Sequence, residues 1–206
     1  MKPVIVIDFN GALLNSRPFD EAHRQWFKMF SILLDDPSIN EWADKENYFE
    51  GVHQVMKRYL GNVHKDAQLM FARQTFALVM VAEVKESDIV KDFASYLDTI
   101  KDKYTLALIT TAPEGSVEPI LEKIGCQYLF EIVFKSPYKS YPDKRELFEE
   151  FILKYERPLF YIGEGDKDIG LCRDLGIKSI SVNWVKRGKF KGDHDIDDTE
   201  ELKKIL

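Results

Sequence analysis

Val4-Ile5-Val6-Ile7-Asp8-Phe9-Asn10-Gly11-Ala12-Leu13-Leu14 opens the chain and decides how the rest of it is read. Four β-branched residues run without interruption into a carboxylate, and a glycine follows three positions later. A continuous apolar run of this kind predicts a strand buried on both faces, as in a parallel sheet. Open parallel sheets bind ligands just beyond the carboxyl ends of their strands, which is where Asp8 stands. A carboxylate leaving a buried strand is costly unless a cation, a metal or hydrogen-bond donors meet it. A blander role, capping the turn that follows, competes for Asp8 when this stretch is read alone.

Outward from that strand, the pattern turns helical for some ninety residues. Phe19, Ala22, Trp26, Phe30 and Leu33 fall at helical spacing behind Pro18 and Asp20, and Asp35-Asp36-Pro37 ends that helix. A second helix is expected from about Asn40 to Leu60, stopped by Gly61-Asn62. A third is expected from about Lys65 to Glu83, apolar nearly all round and therefore central to the helical block. Ser87 is the expected N-cap of a helix through Ile89, Phe93, Leu97 and Ile100.

From Tyr104 the pattern alternates. Strands are predicted at Thr105–Ile109, Phe130–Phe134, Leu159–Ile162 and Ser179–Val182. Between them, helices carry Val117 to Ile124, Leu147 to Ile152 with Pro142 at the first helical position, and Ile169 to Leu175; Thr199 is the expected cap of a short last helix. Five buried strands separated by helices make a Rossmann-like parallel α/β sheet in three layers. The helical block is too long for a connection, so residues 16–82 are expected to form a subdomain above the edge where Asp8 points, with 1–15 and 83–206 as the core.

Composition narrows the function. The 206 residues carry a formal net charge of −6, which argues against nucleic-acid binding, since phosphate backbones demand clustered Lys and Arg. No apolar stretch approaches the ~20 residues of a membrane span, and Lys2 leads straight into the first strand without a signal-like segment. Cys126 and Cys172 lie in apolar, helix-like surroundings and read as buried small hydrophobes. A cytoplasmic protein is expected. The basic run Lys186-Arg187-Gly188-Lys189 reads as a solvated loop.

Every strand end offers a polar group to one edge. After Asp8, the second strand ends in Thr110-Thr111, the third is followed by Lys139, and the fourth ends Gly163-Glu164-Gly165-Asp166-Lys167-Asp168. Asp8, Glu164 and Asp168 are the oxygen ligands that Mg²⁺ prefers, with Asp166 competing with Glu164 for that role. Thr110 suits donation to a phosphoryl oxygen, and Lys139 suits charge balance. Asp8 then becomes the nucleophile of a phosphoryl transfer through an aspartyl-phosphate.

In this order, Asp8-Phe9-Asn10-Gly11, Thr110, Lys139 and Glu164…Asp168 resemble the four motifs of the haloacid dehalogenase superfamily over nearly the whole chain. The resemblance implies a helical cap domain in the position of residues 16–82. It implies catalysis by Asp8, Asn10, Thr110 and Lys139, and contact of substrate with Asn10, Gly11, Thr110, Thr111 and Lys139. It further implies Mg²⁺ held by Asp8, the Asn10 carbonyl, Glu164 and Asp168, with a small phosphorylated metabolite as substrate. Phosphatases of this family carry an aspartate where Asn10 stands, and that aspartate protonates the leaving group; an amide cannot. Ala12 also departs from the usual Thr or Val. The expectation is therefore a phosphatase-like hydrolase suited to good leaving groups. A degenerate protein that binds a phosphorylated ligand or a protein, and dehalogenase chemistry, are the alternatives. A receiver-type signalling domain is set aside, because its phosphorylated aspartate follows the third strand and its ~120 residues leave no room for the insert. Arg24, Trp26, Lys57 and Arg58 in the insert read one by one as surface or core residues.

Overall fold

A computed structural model describes residues 2–184 and 191–206. The basic loop 186–189 lies outside the described residues. Six strands, all parallel, form one sheet in the order β3-β2-β1-β4-β5-β6. They are β1 (Val4–Ile7), β2 (Thr105–Pro113), β3 (Ile132–Ser136), β4 (Phe160–Gly163), β5 (Lys178–Val182) and β6 (His194–Ile196). The sixth strand was not expected. It is three residues long and largely polar, so it carries no apolar signature, and it exists through pairing with β5. β2 runs four residues beyond its expected end, with a register shift against β3 between Thr110 and Pro113.

Side-chain alternation sorts the core into two layers. Ile5, Ile7, Leu106, Leu108 and Ile162 face α4 (Lys91–Ile100) and α5 (Val117–Lys123). Val4, Val6, Ala107, Ile109 and Tyr161 face α6 (Lys144–Lys154) and α7 (Asp166–Asp174). The result is the three-layer α/β/α sandwich expected from the strand pattern, closed at the chain end by α8 (Thr199–Leu202), whose cap is Asp198 rather than Thr199.

Three helices follow β1: α1 (Arg17–Leu33), α2 (Tyr48–Leu60) and α3 (Lys65–Glu83). The single helix expected over 40–60 is instead a 3-10 turn at Pro37–Trp42 followed by α2. These helices bury a core of their own around Trp26, Phe27, Phe30, Val55 and Met56. Arg17 at the start of α1 and Asp88, just past α3, close the insert at its base. The Arg17 guanidinium donates to both Asp88 oxygens, at 2.9 and 2.5 Å. Ser87 caps nothing; it lies in a 3-10 turn, and α4 begins at Lys91. Among the described residues, no helix is long and apolar enough to cross a membrane.

Candidate active site

Asp8 leaves β1 at the carboxyl edge, between the ends of β2 and β4. A tight turn follows, in which Gly11 adopts φ +82° and its amide donates to the Leu14 carbonyl. That backbone region favours glycine. A Cβ at Gly11 would also run into the Glu164 carboxyl group, which lies directly over it. The turn thus brings the fourth strand's Glu164 against the loop that carries Asn10. Asp166, its sequence competitor, is exposed at the start of α7.

Asp8 is 7% exposed and fully engaged. Its Oδ1 accepts from the Phe9 amide at 2.9 Å and from Lys144 Nζ at 2.6 Å. Its Oδ2 lies 3.0 Å from the Tyr161 hydroxyl, which also lies 2.7 Å from Asp168 Oδ2. Lys144 Nζ is 3.4 Å from that same Asp168 oxygen. One ammonium and one phenol therefore tie two carboxylates together. Burial pushes the Asp8 carboxyl up to about 6, with Asp168 adding to the rise and Lys144 opposing it. Burial disfavours the charged form of Lys144, but the two carboxylates outweigh it and raise its pKa. Tyr161 is neutral and has a single proton to share, so one ammonium faces two carboxylates and the cluster lacks positive charge.

The lysine is a correction. Lys139 was expected here, but the structure leaves it exposed in the loop after β3. Asp143 caps α6 by accepting from the Arg145 and Glu146 amides, which makes Lys144 the first helical residue and aims it at Asp8. Pro142 accordingly precedes the helix cap. The signal was present in Asp143-x-x-Glu146, a helix-start pattern. Tyr161 was missed for a different reason: a tyrosine inside an apolar strand reads as core. A Cβ at Gly163 would strike its ring, so that glycine frees the space in which Tyr161 lies along the strand towards the edge.

Thr110 is buried, with its Oγ1 accepting from the Ala112 amide at 3.1 Å, so its hydroxyl proton remains available to a ligand. Thr111 presents its carbonyl to Arg73. Arg73, on α3, is the other residue missed, because a lone cation on an apolar helix reads as surface. It is buried, donates to the Thr111 and Ser136 carbonyls at 3.4 and 3.3 Å, and leaves its Nε without a partner. It binds the insert to the ends of β2 and β3.

These residues line one cavity of about 680 Å³ between insert and sheet. Asp8, Asn10, Thr110, Lys144, Glu164 and Asp168 form its floor, and α1, α2 and α3 supply its roof. Lys139 lies apart from it, as do Arg24, Lys57 and Arg58, which are exposed; Trp26 is buried and lines the roof. The Asn10 Oδ1 is buried without a hydrogen-bond partner. Cys126 and Cys172 are free and buried, their thiols pushed up to about 11 and about 12 by desolvation.

The sequence profile of haloacid dehalogenase-like hydrolases matches residues 5–182, from β1 to the end of β5. The chain belongs to the haloacid dehalogenase-like hydrolases. Among solved structures, this family member resembles YfnB of Bacillus subtilis, described as a HAD hydrolase bound to magnesium, at 14% identity and TM-score 0.65, covering 100% of this chain and 98% of that one. A Clostridium acetobutylicum protein described as a predicted phosphatase gives 16% identity and TM-score 0.68, covering 100% and 99%. A mutant of CbbY from Rhodobacter sphaeroides, in complex with xylulose-(1,5)bisphosphate, gives 16% and 0.68, covering 98% and 96%. At such identities the likeness speaks for the fold. No curated protein has a significant sequence match. In this haloacid dehalogenase-like chain, no group of three or more His, Cys, Asp and Glu side chains among the described residues is arranged to hold a metal by itself.

Proposed function

We propose that the protein is a Mg²⁺-dependent phosphatase-like hydrolase that transfers a phosphoryl group to Asp8 and then to water. The observation that carries this reading is the Asp8–Lys144–Asp168–Tyr161 cluster on the floor of the cavity between insert and sheet. The donor set fits the metal. Mg²⁺ is commonly bound by one or two carboxylates, keeping several waters and substrate phosphate as its other ligands, and this cluster is short of positive charge. Asp8 and Asp168, with the Asn10 carbonyl, are the groups that would hold it, Glu164 standing beside them over Gly11. When bound, it would neutralise charge on the phosphoryl oxygens.

The chain's own residues divide the rest of the work. The Phe9 amide and Lys144 Nζ hold Asp8 Oδ1 in place, leaving attack on phosphorus to a fixed carboxylate. Lys144 offsets charge on the nucleophile and the phosphoryl group, and Thr110 donates to a phosphoryl oxygen. Asn10 orients the leaving-group oxygen without protonating it. His23, in the cavity roof, does not make up the loss. Its pKa is lowered by burial, against a smaller opposing effect of Asp20, so it is neutral near pH 7.

The substrate is a small phosphorylated metabolite. A panel of such compounds with Mg²⁺, run on the native protein and on Asn10→Asp, tests the reading; release of phosphate from good leaving groups by the native protein is the expected result. The second reading, a ligand-binding protein without turnover, is favoured by Asn10 itself. No release by either variant, with folding confirmed, would establish it over the first.

A further inference from the structure

The cavity roof is built from rings. Phe19, Trp26, Phe27, Tyr48, Phe49 and Phe76 line it, with few polar side chains, those of Asp20, His23 and Arg73, beside them. The Trp26 indole N–H donates to Thr75 Oγ1 at 2.9 Å. Arg73 spends its NH2 on the two strand-end carbonyls. His23 packs edge-on against Tyr48 and Phe76, with centroids 4.4 and 4.9 Å away. A sugar or polyol needs several convergent donors and acceptors, since its hydroxyls are costly to bury unpaired. A flat ring needs only faces and edges of other rings.

The floor independently restricts the leaving group. Asn10 has no proton to give, so the departing oxygen must be stable as an anion. Phenolates satisfy this far better than alkoxides, and they carry the ring that the roof accommodates. We propose that this site takes aryl phosphates: phosphate monoesters whose leaving group is a phenolate seated among Trp26, Tyr48, Phe49 and Phe76. The inference rests on the phosphatase reading above. In the first step an Asp8 carboxylate oxygen bonds to phosphorus and the P–O(aryl) bond breaks, its electron pair leaving with the aryloxide. The aryloxide takes its proton from solvent water. Water then hydrolyses the aspartyl-phosphate, returning inorganic phosphate and the Asp8 carboxylate.

Acetyl phosphate separates the two requirements, because acetate is the better leaving group but has no ring. With Mg²⁺, kcat/KM for p-nitrophenyl phosphate should exceed that for acetyl phosphate by at least about tenfold, given the apolar area a ring buries. Glucose 6-phosphate should trail both. Phe49 is half-buried at the cavity wall, so Phe49→Ala should fold; it should cut aryl turnover about 2- to 10-fold, the worth of one aromatic contact. Binding gives a readout without turnover: phenylphosphonate should bind about tenfold tighter than methylphosphonate. Acetyl phosphate leading the series, with the two phosphonates bound equally, would overturn the aryl inference and leave the phosphatase reading standing. No turnover of any of the three phosphates would remove that reading and this inference with it.

Discussion

At the scale of the residue, two side chains carry the account. Lys144 holds both Asp8 and Asp168 from the first turn of α6, whereas Lys139 is exposed. Lys144→Met should lower turnover by about 10²–10³, the loss on removing one preorganised donor. It should also abolish capture of beryllium fluoride with Mg²⁺, read by fluorine NMR. Lys139→Met should do neither; a loss confined to Lys139→Met would reverse the assignment. Asn10→Asp restores a general acid and should raise alkyl phosphate turnover by up to about 10²-fold, the lower end of what such an acid supplies. The lower end is expected because Ala12 and the roof differ along with Asn10. Equal native rates on aryl and alkyl esters would point to another proton donor. Asp8, Asn10, Thr110 and Glu164 were legible because each sits at or just past the end of a strongly apolar run. Lys144 was not: the loop from 137 to 143 has no periodicity, and the lysine that follows it can be placed only by finding where the helix starts.

Elements meet this chemistry through their ends. The insert leaves β1 and returns to the core beside itself, and the Arg17–Asp88 fork joins the two passages. Asp88 is almost fully buried, and burial pushes its pKa up. Hydrogen bonds from Arg17, the Lys85 amide and Asn15 outweigh that effect, and the net shift is downward. A carboxylate whose folded pKa lies below its unfolded value stabilises above the unfolded pKa of about 3.8, and that stability is lost as pH falls through the lower folded value. Asp88→Asn should therefore cost about 1–3 kcal/mol at pH 7, with the difference from the native protein shrinking below pH 4. Denaturant titrations at the two pH values measure it, and a pH-independent difference would show that the charge plays no part. The helical elements α1 and α3 could be read from sequence, α1 because its apolar face repeats at helical spacing and α3 because a long, mostly apolar run lies between Lys65 and Glu83. β6 could not, since three residues with one apolar side chain give no pattern, and its existence is decided by β5 beside it.

On the whole-molecule scale, the sheet supplies the floor of the cavity and the insert its roof, with Arg73 linking the two. The alternation of strands and helices after Tyr104 announces the sheet, and the long helical stretch after β1 announces the insert. What the roof would meet could not be read in advance, because the facing of Trp26, Tyr48 and Phe49 depends on how three helices pack. All of this converges on a single event, phosphoryl transfer to Asp8. It can be seen directly by quenching the protein during turnover of p-nitrophenyl phosphate with Mg²⁺, reducing with borohydride, and locating the modified residue by peptide mass spectrometry. The account predicts reduction of position 8 to homoserine, absent without Mg²⁺ and absent from Asp8→Asn. Turnover at full rate with position 8 unmodified, or with the adduct on another residue, would contradict it.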